Sequence, residues 1–232
     1  MPPPGPGPVE SRFHLDAILP PEASYAISDR LTPIPSLFAE EAGFVEGSVQ
    51  GRREEFARGR AAAREALTAL GFEPVPIPVG AQRQPIWPTD VVGSISHCTE
   101  LAWATAAPSV RVATIGIDVE HDQSLPKEVR PRVLSPQEAR VVEDLAGSDT
   151  VGFGAKECIH KAVQPLTGVW LDFHDVRLVP VEGEYRLRAE ATHAGVPPRA
   201  RRILDRLQIR WSLAGGLVFT CAWARPNGLG GR

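Results

Sequence analysis

The sequence predicts an α+β protein made of two similar halves, each with one long helix and a β-hairpin. Three observations point there. RREEFARGRAAAREALTALGF (52–72) is alanine-rich, carries several arginines and reaches Gly71, a helix-stop residue. FGAKECIHKA (153–162) reads as a second helix. LVFTCAWA (217–224), near the end of the chain, echoes LAWATAA (101–107) in small residues and tryptophan, which hints at an internal duplication.

Along the chain, residues 1–12 read as a flexible, proline-rich tail. FHLDAILP (13–20) and YAISDR (25–30) read as short strands, and PIPSLFAEEAGFV (33–45) allows a helical turn or two. Prolines keep EPVPIPVGAQRQPIWPTD (73–90) extended or looped. VVGSISH (91–97), LAWATAA and ATIGIDVE (113–120) read as strands, and residues 121–135 as a polar connection. Ser135-Pro136-Gln137-Glu138 has a serine cap and a first-turn proline, so a helix starts there. The next helix is expected over 152–163, ending before Pro165. FHDVRLVP (173–180) and EYRLRAE (184–190) follow as strands. IRWSLAG and LVFTCAWA form a hairpin around Gly215-Gly216. The halves then divide into 13–110 and 111–232.

The chain has 232 residues, enough for one large domain or two small halves. A formal charge of −3 gives no case for a nucleic-acid binder, so any anion must be held by a local cluster. Cys98, Cys158 and Cys221 are odd in number and lack disulfide-framework or metal-knuckle spacing, which favours a reducing cytoplasm. The histidines His121, His174 and His193 show no zinc spacing either. Neither a secretory signal nor a membrane-spanning run is expected.

Asp118 and Glu120 lie two apart at the end of a strand and so point to one side. Glu157 and Lys161 lie four apart on a helix and share a face, as do Lys156 and His160. Three carboxylates brought together make a hard, oxygen-rich site suited to Mg²⁺ and a phosphorylated ligand. Taken singly, each has an ordinary reading: exposed strand-end acids, and a helix ion pair contributing ~0.2–0.5 kcal/mol.

Five pieces in order, GRREEFARGRAAAREAL, WPTDVVGSISHC, IGIDVE, FGAKECIHKA and PLTGVWLDF, resemble the 4'-phosphopantetheinyl transferases, closest to the bacterial type that serves siderophore, polyketide and nonribosomal peptide pathways. The resemblance implies two α/β halves about a pseudo-twofold axis, with coenzyme A in the cleft between them; because the duplication already supplies both lobes, a monomer is expected. It implies transfer of the phosphopantetheine arm of coenzyme A to a serine of an apo acyl carrier protein or a peptidyl or aryl carrier domain. By the same resemblance Asp118, Glu120 and Glu157 hold Mg²⁺, with Mn²⁺ as a possible substitute. Glu157 or a metal-bound water serves as the base, and Lys161 protonates or stabilises the leaving phosphate. Arg52 and Arg60 fall at the adenosine 3'-phosphate, His97 and Ser96 at a coenzyme A phosphate, Lys156 and Lys161 at the cofactor, and Trp170 beside the substrate channel. One departure stands out. The loop before the WP element lacks the family's lysines and offers only Arg83. Two rivals remain: another Mg²⁺ phosphotransferase, for which no G-x-x-x-x-G-K-S/T loop is present, and a homologue that binds coenzyme A or carriers without turnover.

Overall fold

The computed structural model describes residues 14–226, so the expected tail over 1–12 lies outside the described residues. Two antiparallel sheets form the frame. The first contains β1 (Ser24–Asp29), β2 (Val91–His97) and β3 (Leu101–Pro108) in the order β1-β3-β2. The second contains β4 (Thr114–His121), β5 (Val176–Pro180), β6 (Leu187–Ala191), β7 (Gln208–Ala214) and β8 (Leu217–Ala224) in the order β4-β8-β7-β6-β5. The helices are α1 (Ala39–Val45), α2 (Gln50–Ala69), α3 (Arg130–Val133), α4 (Pro136–Ala146), α5 (Asp149–Thr167) and α6 (Pro198–Leu204). No described helix is long and apolar enough to cross a membrane.

The repeat is visible in topology. In each half the first strand leads to a long helix and then to a hairpin, giving β1-β3-β2 in one and β4-β8-β7 in the other. Matching hydrogen bonds fix the correspondence. Ser24 Oγ on β1 donates to the Ala66 carbonyl of α2 at 2.6 Å, and Thr114 Oγ1 on β4 donates to the Ala162 carbonyl of α5 at 2.5 Å. Ser24 pairs with Ala106 and Thr114 with Ala224, so β3 and β8 correspond, as the sequence echo implies. That register sets Trp103 against Cys221 and Thr105 against Trp223, so the two tryptophans are two residues out of step.

A buried glutamate recurs as well. Glu41 and Glu138 each sit three residues past a helix cap and accept the cap residue's backbone N–H. Each also accepts a backbone N–H from the chain beyond the long helix, of Ile77 at 2.9 Å and of Leu178 at 3.0 Å. Each is paired with a cation of that helix, Arg64 and Lys156, both at 2.8 Å.

Alternation along β4 explains how the core and the site are separated. Ile115, Ile117 and Val119 face the apolar layer between the sheets, where Trp103 and Phe219 meet edge-on at 5.4 Å. Gly116 and Asp118 face α5. A Cβ at Gly116 would overlap the Cys158 carbonyl oxygen and come within 2.9 Å of the Ala162 amide nitrogen, so glycine is what lets α5 lie flat on β4. Gly116→Ala is expected to cost about 1–3 kcal/mol through overpacking against helix backbone, seen as a lowered thermal midpoint. An unchanged midpoint would refute the close-approach argument.

The sheets meet along β2 and β4 through side chains. Ser94 Oγ accepts from Ile117 N at 3.1 Å and Ser96 Oγ from Val119 N at 3.3 Å. These hydroxyls occupy the seam where a backbone ladder would otherwise stand.

Three local expectations are corrected, and one helix is added. FHLDAILP holds a 3₁₀ turn at Leu15–Ala17, because Leu15, Ile18 and Leu19 all bury into the inter-sheet core from one turn. The connection 121–135 contains α3. Helix α5 runs past Pro165 to Thr167. The proline sits in the last turns, where it removes only the bond to the Lys161 carbonyl, and the helix then closes on Gly168. Helix α6, over a stretch to which the sequence reading assigns no element, starts with Pro198 in its first turn and buries Ala200, Ile203 and Leu204.

Candidate active site

Strand β4, helix α5 and strand β2 converge on one charge cluster. Asp118 is 3% exposed, and its Oδ1 accepts from Lys161 Nζ at 2.6 Å and from Ser96 Oγ at 2.8 Å. Its Oδ2 is buried without a hydrogen-bond partner. Lys161 Nζ also donates to the Ile117 carbonyl at 3.0 Å and to Ser96 Oγ at 3.2 Å. Burial is the largest influence and works against the Lys161 ammonium, but Asp118, Cys158 and Glu157 together outweigh it and the net shift is upward. Lys161 therefore stays charged, which favours electrostatic stabilisation over proton donation.

Glu120 and Glu157 complete the acidic set. Burial, then the Asp118 charge, lifts Glu120 to about 7, with Glu157 adding and Lys161 opposing. Burial also lifts Glu157, with Asp118 adding and Lys161 opposing, which makes it a stronger base than a solvated glutamate. The three carboxylates are not preclosed into a cage, since their ligand atoms do not all lie within 4.8 Å of one another. The donor set nevertheless fits a hard divalent cation. It has three acids against one lysine, and a buried carboxylate oxygen with no partner.

One pH dependence follows. A carboxyl raised above its ordinary value is protonated until about pH 7 and must lose that proton to bind a cation. Magnesium affinity measured by calorimetry at constant ionic strength is expected to rise from pH 6 to 8 and level off above. The cation-free fold shows the reverse trend: stability from this group is greatest below the ordinary glutamate value and is lost as pH climbs through about 7. A Mg²⁺ affinity flat with pH would contradict the clustering.

The cationic side is built by α2 and the end of β2. Arg52 Nη1 lies 3.0 Å from His97 Nε2 and 3.4 Å from Glu55 Oε2. Arginine only donates, so Nε2 is the acceptor and the ring is neutral. Burial, then Arg52 and Lys161, lower the His97 value against Glu55 and Asp118, in agreement. Arg60 is 5% exposed, its guanidinium lies 4.2 Å from the Phe56 ring, and its Nε has no partner. Burial, with Arg64 and Arg52 adding and Glu41 opposing, lowers it to about 10. A buried guanidinium with an unmet donor beside a second arginine is an arrangement that an anion would satisfy.

The remaining expected residues separate. Trp170 is 77% exposed and meets the His160 ring edge-on at 4.0 Å; with Glu157, Leu171 and Phe173 they line a cavity on the α5 face. Arg83 sits exposed, at positive φ, in a turn whose neighbour Gln82 is hydrogen-bonded to Gln164 of α5. Ser96, expected at a phosphate, instead spends its one proton on Asp118 and both acceptor sites on Val119 N and Lys161. It ties the seam to the acidic cluster. Lys156, expected at coenzyme A, also reaches this cavity wall but is 3% exposed, held by Glu138 and the Phe173 carbonyl, the latter at 2.7 Å. Sequence reasoning missed Glu138 as its partner, because the pairing spans two helices. Glu55, visible only as a helix neighbour of Arg52, also approaches His97 Nδ1 at 4.0 Å.

The chain is similar to known proteins of one family. Residues 40–107 match the 4'-phosphopantetheinyl transferase N-terminal domain, and residues 114–214 match the 4'-phosphopantetheinyl transferase superfamily. The chain is 38% identical over 205 residues to 4'-phosphopantetheinyl transferase Svp of Streptomyces mobaraensis, covering 84% of this chain and 82% of that one. It is 35% identical over 208 residues to 4'-phosphopantetheinyl transferase PptT of Mycobacterium tuberculosis, covering 84% and 88%. Enterobactin synthase component D of Escherichia coli is 39% identical over 129 residues, 53% of this chain and 60% of that one. The chain belongs to the 4'-phosphopantetheinyl transferase superfamily, enzymes that use a divalent cation and move the phosphopantetheine arm of coenzyme A onto an apo carrier protein.

Proposed function

We propose that this chain performs that transfer with Asp118, Glu120 and Glu157 holding Mg²⁺, or Mn²⁺ on the same hard donors. The observation that carries the assignment is the buried, unpartnered Oδ2 of Asp118 beside two carboxyls raised by burial and by the Asp118 charge. Bound there, the cation supplies charge neutralisation at the coenzyme A diphosphate. The carrier serine oxygen forms a bond to the phosphorus that bears pantetheine, and the bond from that phosphorus to the adenosine bisphosphate breaks. Glu157 takes the serine proton. Lys161, kept cationic by Asp118, faces the charge that grows on the departing phosphate. Arg52 and Arg60 hold the adenosine 3'-phosphate, which draws Arg52 away from His97 and frees that ring for a phosphate contact. Arg83 is the basic residue of the loop available to the cofactor. Trp170 and His160 flank the pantetheine arm.

In this reading the halves divide at 110/111, the first recognising phosphate and the second carrying the chemistry. The molecule acts as a monomer in the cytoplasm on carriers of siderophore, polyketide or nonribosomal peptide assembly. Free Cys98, Cys158 and Cys221 accord with a reducing compartment.

Intact mass spectrometry tests it. An apo carrier incubated with this protein, coenzyme A and Mg²⁺ is expected to gain one phosphopantetheine. Glu157→Gln should slow the gain by about 10²–10⁴-fold, the range for loss of a positioned base. No gain on carriers of several pathway types, with coenzyme A binding intact, would leave a binding protein without turnover.

A further inference from the structure

Outside the acidic cluster, a second trio of ligand atoms converges. Cys98 Sγ, Glu100 and His121 are the described group of three potential ligands whose donor atoms all lie within 4.8 Å of one another. His121 Nε2 is 3.0 Å and Cys98 Sγ 3.4 Å from Glu100 Oε2. A tetrahedral zinc with bonds of about 2.0–2.3 Å sets its ligands about 3.3–3.8 Å apart, so the two contacts to Glu100 stand within a few tenths of an ångström of that spacing, and Cys98 Sγ and His121 lie within 4.8 Å of each other.

Their backbones are already fixed. Cys98 N donates to the Leu101 carbonyl at 2.9 Å, and the Glu100 carbonyl accepts from Arg30 N at 3.0 Å. His121 ends β4 and pairs with Leu217 of β8. One thiol, one imidazole and one carboxylate are the zinc-type donor mix, whereas magnesium asks for oxygen alone. Three protein ligands leave a fourth position for water. The trio is half-exposed, so an ion can reach it. It was invisible in sequence because Cys98 and His121 arrive from different sheets.

We propose that Cys98, Glu100 and His121 form a second cation site, selective for zinc-class ions over magnesium, on the rim of the transfer site. Binding replaces the Cys98 thiol proton, which passes to solvent, and the two hydrogen bonds now made to Glu100. Cys98 directly follows His97 and His121 directly follows Glu120, so occupancy pulls on both and slows transfer. This site stands whether or not the acidic trio holds Mg²⁺.

Cobalt(II) is the probe. Titrated into the protein in excess Mg²⁺, it is expected to give thiolate-to-cobalt charge-transfer absorption saturating at one ion per chain. Zn²⁺ should bleach that band at one equivalent, and further Mg²⁺ should not. Cys98→Ser should abolish it, and His121→Ala should weaken cobalt binding at least tenfold, with near-ultraviolet circular dichroism confirming that both fold. In the transfer assay, zinc inhibition in excess Mg²⁺ should disappear in Cys98→Ser. No thiolate band, or a band that survives Cys98→Ser, overturns the site. Failure of Zn²⁺ to bleach it overturns the zinc assignment, and inhibition persisting in Cys98→Ser overturns the coupling to transfer.

Discussion

Replacing Asp118 by asparagine is expected to lower transfer by at least about 10²-fold, the scale on which losing one preorganised charge contact acts. The substitution keeps the shape and one carbonyl oxygen, so Ser96 retains an acceptor. What disappears is the negative charge facing Lys161 and the buried oxygen that has no protein partner. Lys161 then faces burial without its main compensation, and its upward shift is lost. A cation would find two carboxylates in place of three. Coenzyme A binding through Arg52 and Arg60 should fall much less, because those guanidinium groups belong to α2. Kinetics with an apo carrier, alongside calorimetry with coenzyme A and a thermal melt, separate the three quantities. Transfer within tenfold of the parent at a normal melt would remove Asp118 from the centre of the site.

Replacing Lys156 by methionine is expected to destabilise the fold by about 3–5 kcal/mol, the cost of breaking one side of a buried pair. Both side chains are almost fully enclosed, at 2% and 3% exposure. Burial would lift Glu138, but Lys156 and the N–H groups of Leu178 and Ser135 hold it below its ordinary value. Removing the ammonium strands a carboxylate that also organises the start of α4 and the edge of β5. A chain of this length should lose about 2–4 °C in melting temperature per kcal/mol. Adding Glu138→Gln should recover part of the loss, since the stranded charge goes too. A phosphate-binding lysine would behave differently: the coenzyme A KM would rise with the melt unchanged, and Glu138→Gln would rescue nothing.

Local chemistry in this chain was readable where a pattern has one meaning. The two-residue spacing of Asp118 and Glu120, the four-residue spacing of Glu157 and Lys161, and the serine cap before Pro136 each specify their own geometry. The repeated strand echo likewise has its counterpart in the equivalent positions of β3 and β8 in the two sheets. What stayed hidden depends on contacts between distant segments. Ser96 and Lys156 look available in sequence, and only packing reveals that Asp118 and Glu138 have engaged them. Cys98 and His121 come together because serine hydroxyls hold β2 alongside β4. Pro165 misleads because proline is harmful mid-helix and tolerable near the end, which spacing alone does not distinguish.

The duplicated hydroxyl bonds have a further consequence. Counting four residues on from Ser24 and from Thr114 sets Ser28 opposite Asp118. Counting back from Ala66 and Ala162 sets Glu65 opposite Lys161 and Ala61 opposite Glu157. The first half thus has the same scaffold with these side chains replaced: a hydroxyl for Asp118, a methyl for Glu157, an acid for Lys161. A titration should therefore count one magnesium per chain at such a cluster, from a backbone that offers two equivalent places. The near-symmetry is in the backbone, and the stoichiometry is in three pairs of side chains.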